Sequence, residues 1–167
     1  MGSGRLSGAT RFLAEKGQAA DGSFSSAAGP AVTALVVGAL AESGTPIDAP
    51  VLRRGLEHLL SFRRDTGGIH TDESAIGNYE TAIALLALVA CNADGRFDGE
   101  IASAKSFLEG LQWDESEGLS PADVNYGGAG YGKKGRPDLS NTAFLVEALR
   151  NAGSAAPSSW SPPGAGP

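Results

Sequence analysis

One phrase occurs three times in this chain. Residues 33–40, 81–88 and 142–149 each fit Thr-Ala-x4-Ala-Leu, with apolar residues filling most of the gap. A stretch apolar on nearly every face of a helix is buried on most sides. Its recurrence at intervals of roughly 50 to 60 residues points to stacked repeats, each packing on its neighbours, rather than to one mixed core.

The residues between the phrases complete the repeat. Ala9, Phe12 and Leu13 share one face of a helix over 7–16, which ends where Gly17 and Asp21-Gly22 break the pattern. Leu52, Leu56, Leu59 and Leu60 form one stripe of a helix over 49–64, with Arg53, Arg54 and Glu57 outside it and Asp48 placed to cap it. Ile101, Ala104, Phe107, Leu108 and Leu111 form another over 100–113. Pro30 suits the first turn of the first apolar helix and Gly44 its left-handed end, while the other two apolar helices are expected at 78–91 and 139–152. The order is therefore half-exposed helix, loop, buried helix, three times. No segment keeps a strand's period for long, so the fold class is all-α, tandem helical hairpins with no significant sheet. Residues 1–6 read as a disordered N-terminus, 7–153 as the repeat domain, and 154–167 as a flexible tail of Ala, Pro, Ser and Gly.

The 167 residues suffice for one substantial core. A net charge of −6, with basic residues only in short clusters, gives no electrostatic ground for nucleic acid or an anionic membrane as partner. The longest apolar run, residues 83–91, is about half of the ~20 needed to span a bilayer, and residues 1–4 lead into no apolar segment of the kind a signal peptide carries. The chain reads as soluble, with its compartment open. Its one cysteine, Cys91, excludes an internal disulfide and ends an apolar run, the setting of a core thiol.

The pattern resembles the prenyltransferase and squalene-cyclase repeat, in which a basic residue, a small residue, an aromatic-Leu pair and a Gln precede Gly-x-Trp and an inner helix. This chain offers Phe12-Leu13, Gln18 and Gly22-x-Phe24 in the first unit. The second unit offers Arg54-Gly55, His58-Leu59 and Gly68-x-His70, and the third Phe107-Leu108, Gln112 and, as nearest counterpart of the ending, Gly118-x-Ser120. The spacing survives over residues 7–153 and the signature Trp does not. The resemblance implies an α/α toroid of concentric helices, of which three pairs make an arc. Such an arc leaves an apolar edge to be paired with another copy, another domain or missing sequence.

The same resemblance locates the chemistry. Squalene and class II diterpene cyclases protonate their substrate with the central Asp of Asp-x-Asp-Asp-Thr-Ala, and aligned on Thr-Ala that position holds Ala31, Tyr79 and Ser140. None is an acid. Only Asp138, the leading position of the third unit, and Glu80, directly before Thr81, remain as candidate catalytic residues, and Asp138 also suits a helix cap. Protein prenyltransferases of this fold hold zinc with Asp, Cys and His; Cys91 lacks the accompanying acid, and Val89 stands there. His70, Asp72 and Glu73 form the one close cluster of metal-ligand types. The Gly-Cys-Gly-Glu-Gln sequence of the thioester proteins is absent, and no cofactor is expected.

Residues 114–138 exceed the usual length of a connection. Residues 127–134 read Gly-x4-Gly-Lys-Lys, but Lys134 stands where a P-loop needs a hydroxyl and no strand precedes it, so a nucleotide site is rejected. In one reading the loop's glycines and aromatics fold over the end of the helical layer. In a sharper one Tyr126 and Tyr131 rim a pocket above the inner helices, with Asp123 or Asn125 supplying polarity and Tyr79 below. The function expected is a non-catalytic scaffold, or a module binding an isoprenoid-like hydrophobic molecule or a partner segment. The alternatives are a cyclase or prenyltransferase completed by a second chain, and a toroid polysaccharide lyase or hydrolase, for which Tyr79, Glu80 and Tyr126 are the hints.

Overall fold

The structure is a computed structural model describing residues 3–132 and 135–153, with side chains from residue 8 onward. Residues 1–2, Lys133 and Lys134 of the P-loop-like stretch, and the tail 154–167 lie outside the described residues. Among the described residues six α-helices make up the fold: α1 (Ser3–Phe12), α2 (Pro30–Glu42), α3 (Pro50–Leu60), α4 (Gly77–Ala90), α5 (Asp98–Glu109) and α6 (Leu139–Asn151). The class is all-α, and the only β feature among the described residues is one antiparallel bridge between Arg63 and Ile69.

α3 ends at Leu60 and α5 at Glu109, each four residues short of the expected end, and three further differences have local reasons. α1 begins at Ser3, earlier than 7, and is followed by a π-helical turn over Leu13–Gly17. That turn absorbs one extra residue, because Gln18 stands five places beyond Leu13 whereas Gln112 stands four beyond Leu108. α3 is not capped by Asp48: Ala49 is the cap residue, Pro50 lacks the first N–H that needs a partner, and Asp48 pairs instead with Arg96 at 3.3 Å. α5 starts at Asp98, with Asp98 and Glu100 in the first turn facing the positive end of its dipole.

α2, α4 and α6 lie side by side with α4 in the middle, and α3 and α5 flank this row. The division follows from sequence periodicity. α4 is apolar all round, and everything from Glu80 to Leu85 is buried. α3 instead turns Val51, Leu52, Leu56 and Leu59 inward and leaves Arg53 and Glu57 outside as an exposed i, i+4 pair of small energetic weight. Each Leu taken fully from water contributes about 1.5–3 kcal/mol, so the core over α4 dominates the stability. Small residues set the spacing: Gly38 meets Ala87 between α2 and α4, and Gly55 lies under Val37 between α3 and α2.

The repeated Thr has a mechanical role. Thr33 Oγ1 accepts from the N–H of Phe24 at 3.1 Å, Thr81 Oγ1 from that of Ile69 at 3.1 Å, and Thr142 Oγ1 from that of Ala129 at 3.0 Å. Thr81 and Thr142 also donate back to the carbonyls of Ile69 and Ala129. The first turn of each row helix thus pins the loop that leads into it. Thr81→Val keeps the shape but strands the buried Ile69 N–H and C=O, so urea unfolding should show a loss of about 1–3 kcal/mol. Retention of wild-type stability would show that the clamp is dispensable.

These clamps give the register of the loops. Two residues before each clamped N–H stands a glycine with positive φ: Gly22 (86°), Gly67 (90°) and Gly127 (77°). Gln18 and Gln112 Nε2 donate to the carbonyls of Gly22 and Gly127. The structural counterparts are therefore Gly22-x-Phe24, Gly67-x-Ile69 and Gly127-x-Ala129. Gly68-x-His70 is out by one residue, and Gly118-x-Ser120 lies inside an insertion. That insertion is pinched off at its base, where the Gly127 N–H donates to Trp113 O at 2.7 Å and the Trp113 N–H to Gly128 O at 2.9 Å.

Candidate functional site

The expected site lies at the N-terminal ends of the row helices, where the loops converge on α4. Asn78 reaches the third unit's loop: its N–H donates to Tyr131 O at 3.0 Å and its Nδ2 to Gly130 O at 2.6 Å. Glu80 reaches the other way. Its carboxylate is 2% exposed, and Oε2 accepts from Ser74 Oγ at 2.5 Å and from the Thr71 N–H at 3.4 Å. Oε1 lies against Gly29, where a Cβ would come within 2.5 Å of it. One turn of α4 therefore anchors the loops on both sides of it. Asn78 was not singled out in the sequence, since a lone Asn at a helix start carries no signal of the distant carbonyl it serves.

Of the three positions aligned with the cyclase acid, Ala31 is buried, Tyr79 half-buried and Ser140 exposed. Asp138 caps α6, its Oδ1 accepting from the Asn141 N–H at 2.9 Å and Oδ2 from Asn141 Nδ2 at 2.7 Å. The backbone hydrogen bond, then the side-chain one, holds this carboxyl below its ordinary value of 3.8. Its contribution to stability is thus present above that value and is lost as pH falls through the lowered one. A carboxylate so held is an acceptor and not a proton donor at neutral pH.

The metal-ligand types are occupied separately. His70 Nδ1 lies 2.8 Å from Thr71 O, a geometry in which that nitrogen donates, and its ring tilts over Phe107 at 5.4 Å. Gly68 and Gly77 make room for it. Asp72 is ion-paired with Arg64, and Glu73 is exposed at a positive φ of 51°. Among the described residues no three His, Cys, Asp or Glu side chains stand together as a metal site. Cys91 is buried, and burial pushes its thiol up to about 11, which keeps it protonated and a poor nucleophile at neutral pH.

The loop residues are engaged chiefly within their own segment. Asp123 Oδ2 accepts from the Ser120 N–H at 2.8 Å, Asn125 O accepts from the Gly128 N–H, and Tyr126 OH donates to Glu115 at 2.9 Å. That bond and the charge of Glu115 raise the Tyr126 phenol. Tyr131 is 51% exposed and meets the start of α4 through its carbonyl, and Tyr79 packs edge-on against Phe144 at 5.2 Å. The structure thus brings Tyr79 and Tyr131 to one helix end and places Asp123, Asn125 and Tyr126 in the pinched insertion. A groove of about 690 Å³ runs along α6, and one of about 360 Å³ lies near Cys91; neither is lined by these tyrosines. No helix among the described residues is long and apolar enough to cross a membrane. No family model, no curated protein and no solved structure matches the chain.

Proposed function

We propose that this chain is a repeat arc of the prenyltransferase and squalene-cyclase type that acts without catalysis, as a scaffold holding a hydrophobic, isoprenoid-like molecule or an apolar partner segment. The observation that carries this reading is the employment of its acids. The central acid position holds Ala31, Tyr79 and Ser140, while Glu80 is consumed by Ser74 and Thr71 and Asp138 by the start of α6. Protonating an alkene needs a carboxylic acid kept protonated and aimed at an apolar space, and neither acid stands free for it. What remains at the start of α4 is the edge-on Tyr79–Phe144 pair, with the exposed Tyr131 tied there by its carbonyl to the Asn78 N–H, aromatic groups suited to cover hydrocarbon.

The test is incubation with squalene and with geranylgeranyl diphosphate, followed by product analysis and by native mass spectrometry. The expected result is a retained ligand without product, with binding weakened about tenfold by Tyr79→Ala, the effect of losing roughly 1.4 kcal/mol of contact. Turnover that disappears in Glu80→Gln or Asp138→Asn would establish the enzyme reading instead.

A further inference from the structure

Equivalent positions of the three units are buried unequally, and the inequality is confined to the two ends of the row. Counted from the shared Thr, Ala34 and Ala82 are buried but Ala143 is exposed, and Val37 and Leu85 are wholly buried but Val146 is 46% exposed. On α2 that face is covered by α3, where Val37 lies on Gly55. On α6 it opens into the groove of about 690 Å³. At the other end Leu35 is 48% exposed and Ala39 is exposed, whereas their equivalents Ile83 and Ala87 are buried, the latter against Gly38 of the preceding row helix. α1 shows the same deficit. Counted from Leu13, Leu59 and Leu108, its small position Ala9 is exposed, while Gly55 and Ala104 are buried against the row.

Among the described residues α6 thus has no flanking helix and no next row helix beside it, and α1 and α2 have no preceding row helix. Each end presents the element that the other is missing. We propose that a second copy of this chain docks head to tail: its α1 lies on Ala143 and Val146 of α6 as α3 lies on α2, and its α2 lies beside α6 through Leu35 and Ala39.

Three further observations favour a second copy as the occupant. The glycine of each loop seats the backbone of the next flanking helix, Gly22 on Arg54 and Gly67 on Ser103, but Gly127 meets only Gln112 Nε2, at 3.7 Å. The same register puts Gly8 of the second copy there, and around Gly8 there is open space within 4 Å. Charge agrees, since residues 1–17 carry Arg5, Arg11 and Lys16 against Glu15, whereas residues 98–153 carry nine acids against five bases. The sequence that follows α6, 154–167, carries Pro157, Pro162, Pro163 and Pro167, and proline disfavours helix interiors. If the rotation between copies closes after two, each interface is formed twice and the assembly is a ring rather than a filament.

Native mass spectrometry and light scattering of the whole chain should give twice 16.9 kDa, dissociating on dilution. Val146→Asp places a charge in the contact and should weaken the dimer at least tenfold, on the order expected for an unpaired buried carboxylate. Because that residue is exposed in one copy, helicity should be unchanged; Ala39→Asp, at the opposite end, should do the same. Direction is read by oxidative cross-linking of Ala9→Cys with Val146→Cys, Cys91 being buried. A covalent dimer is expected when the two variants are mixed and not from either alone. A monomer at all concentrations, a dimer indifferent to Val146→Asp and Ala39→Asp, or cross-linking of each variant only with itself would overturn the proposal.

Discussion

Gly67→Ala is expected to lower stability by about 3 kcal/mol, which for a domain of this size is a fall in Tm of roughly 6–12 °C. Two costs combine. At φ 90° an L side chain is strained by about 1 kcal/mol or more. The new Cβ would also lie 2.5 Å from Ser103 O and 3.0 Å from its carbon, both backbone atoms of α5. Backbone in the middle of a helix has no rotamer to yield, so relief means prising α5 from α4, at about 1–3 kcal/mol. Gly127→Ala serves as the control, because it carries only the φ strain and should cost about 1 kcal/mol. Both variants are best compared in the Val146→Asp background, which removes any contribution from self-association. Equal losses would mean that Gly67 does not seat α5 tightly.

Glu80→Ala is expected to cost about 2–4 kcal/mol, and Glu80→Gln clearly less. The alanine leaves Ser74 Oγ and the Thr71 N–H without their acceptor, each worth about 1 kcal/mol or more when buried, and opens a space beside Gly29 that the rigid turn does not refill. The glutamine keeps an oxygen acceptor and the volume. Hydrogen exchange should localise the loss to residues 71–76 and the first turn of α4, which this carboxylate ties together. Ser74→Ala should reproduce part of it. If Glu80→Ala were neutral in denaturant melts, the carboxylate would not be an anchor and its burial would need another explanation, such as a reaction.

Much of the helical architecture was legible in the amino-acid order. The triple phrase locates α2, α4 and α6, but only α4 is buried on nearly every side; against expectation α6 buries just Asn141, Leu145 and Ala148, because no described helix lies beyond it. The Leu stripe of α3 identifies a flanking helix. Asp138 as a cap was also readable, being three residues before the N–H it accepts from. Asp48, which looks just as suitable, pairs with Arg96 instead, since Ala49 and Pro50 already open α3 without it. The loops were less legible. Glycines are abundant, and nothing local distinguishes Gly67 from Gly68 or Gly118 from Gly127. What distinguishes them is a hydroxyl from the following helix, twelve or thirteen residues on, that accepts one particular N–H. The nominated residues share the limitation: His70, Asp72 and Glu73 are close in sequence yet turn to Thr71, to Arg64 and outward.

The sequence by itself determined the all-α class and where the helices fall, because periodicity and apolar content act within single helices; it did not determine how deeply each is buried, since α6 hides only Asn141, Leu145 and Ala148. Only the tertiary structure decided what the repeated Thr is for, which glycine answers to which, and how Glu80 and Asp138 are employed. Those depend on pairings between segments that follow the packing of whole helices. The unequal burial of Ala143, Val146, Leu35 and Ala9 is of the same kind, because a residue's exposure depends on the neighbour present and not on the residue.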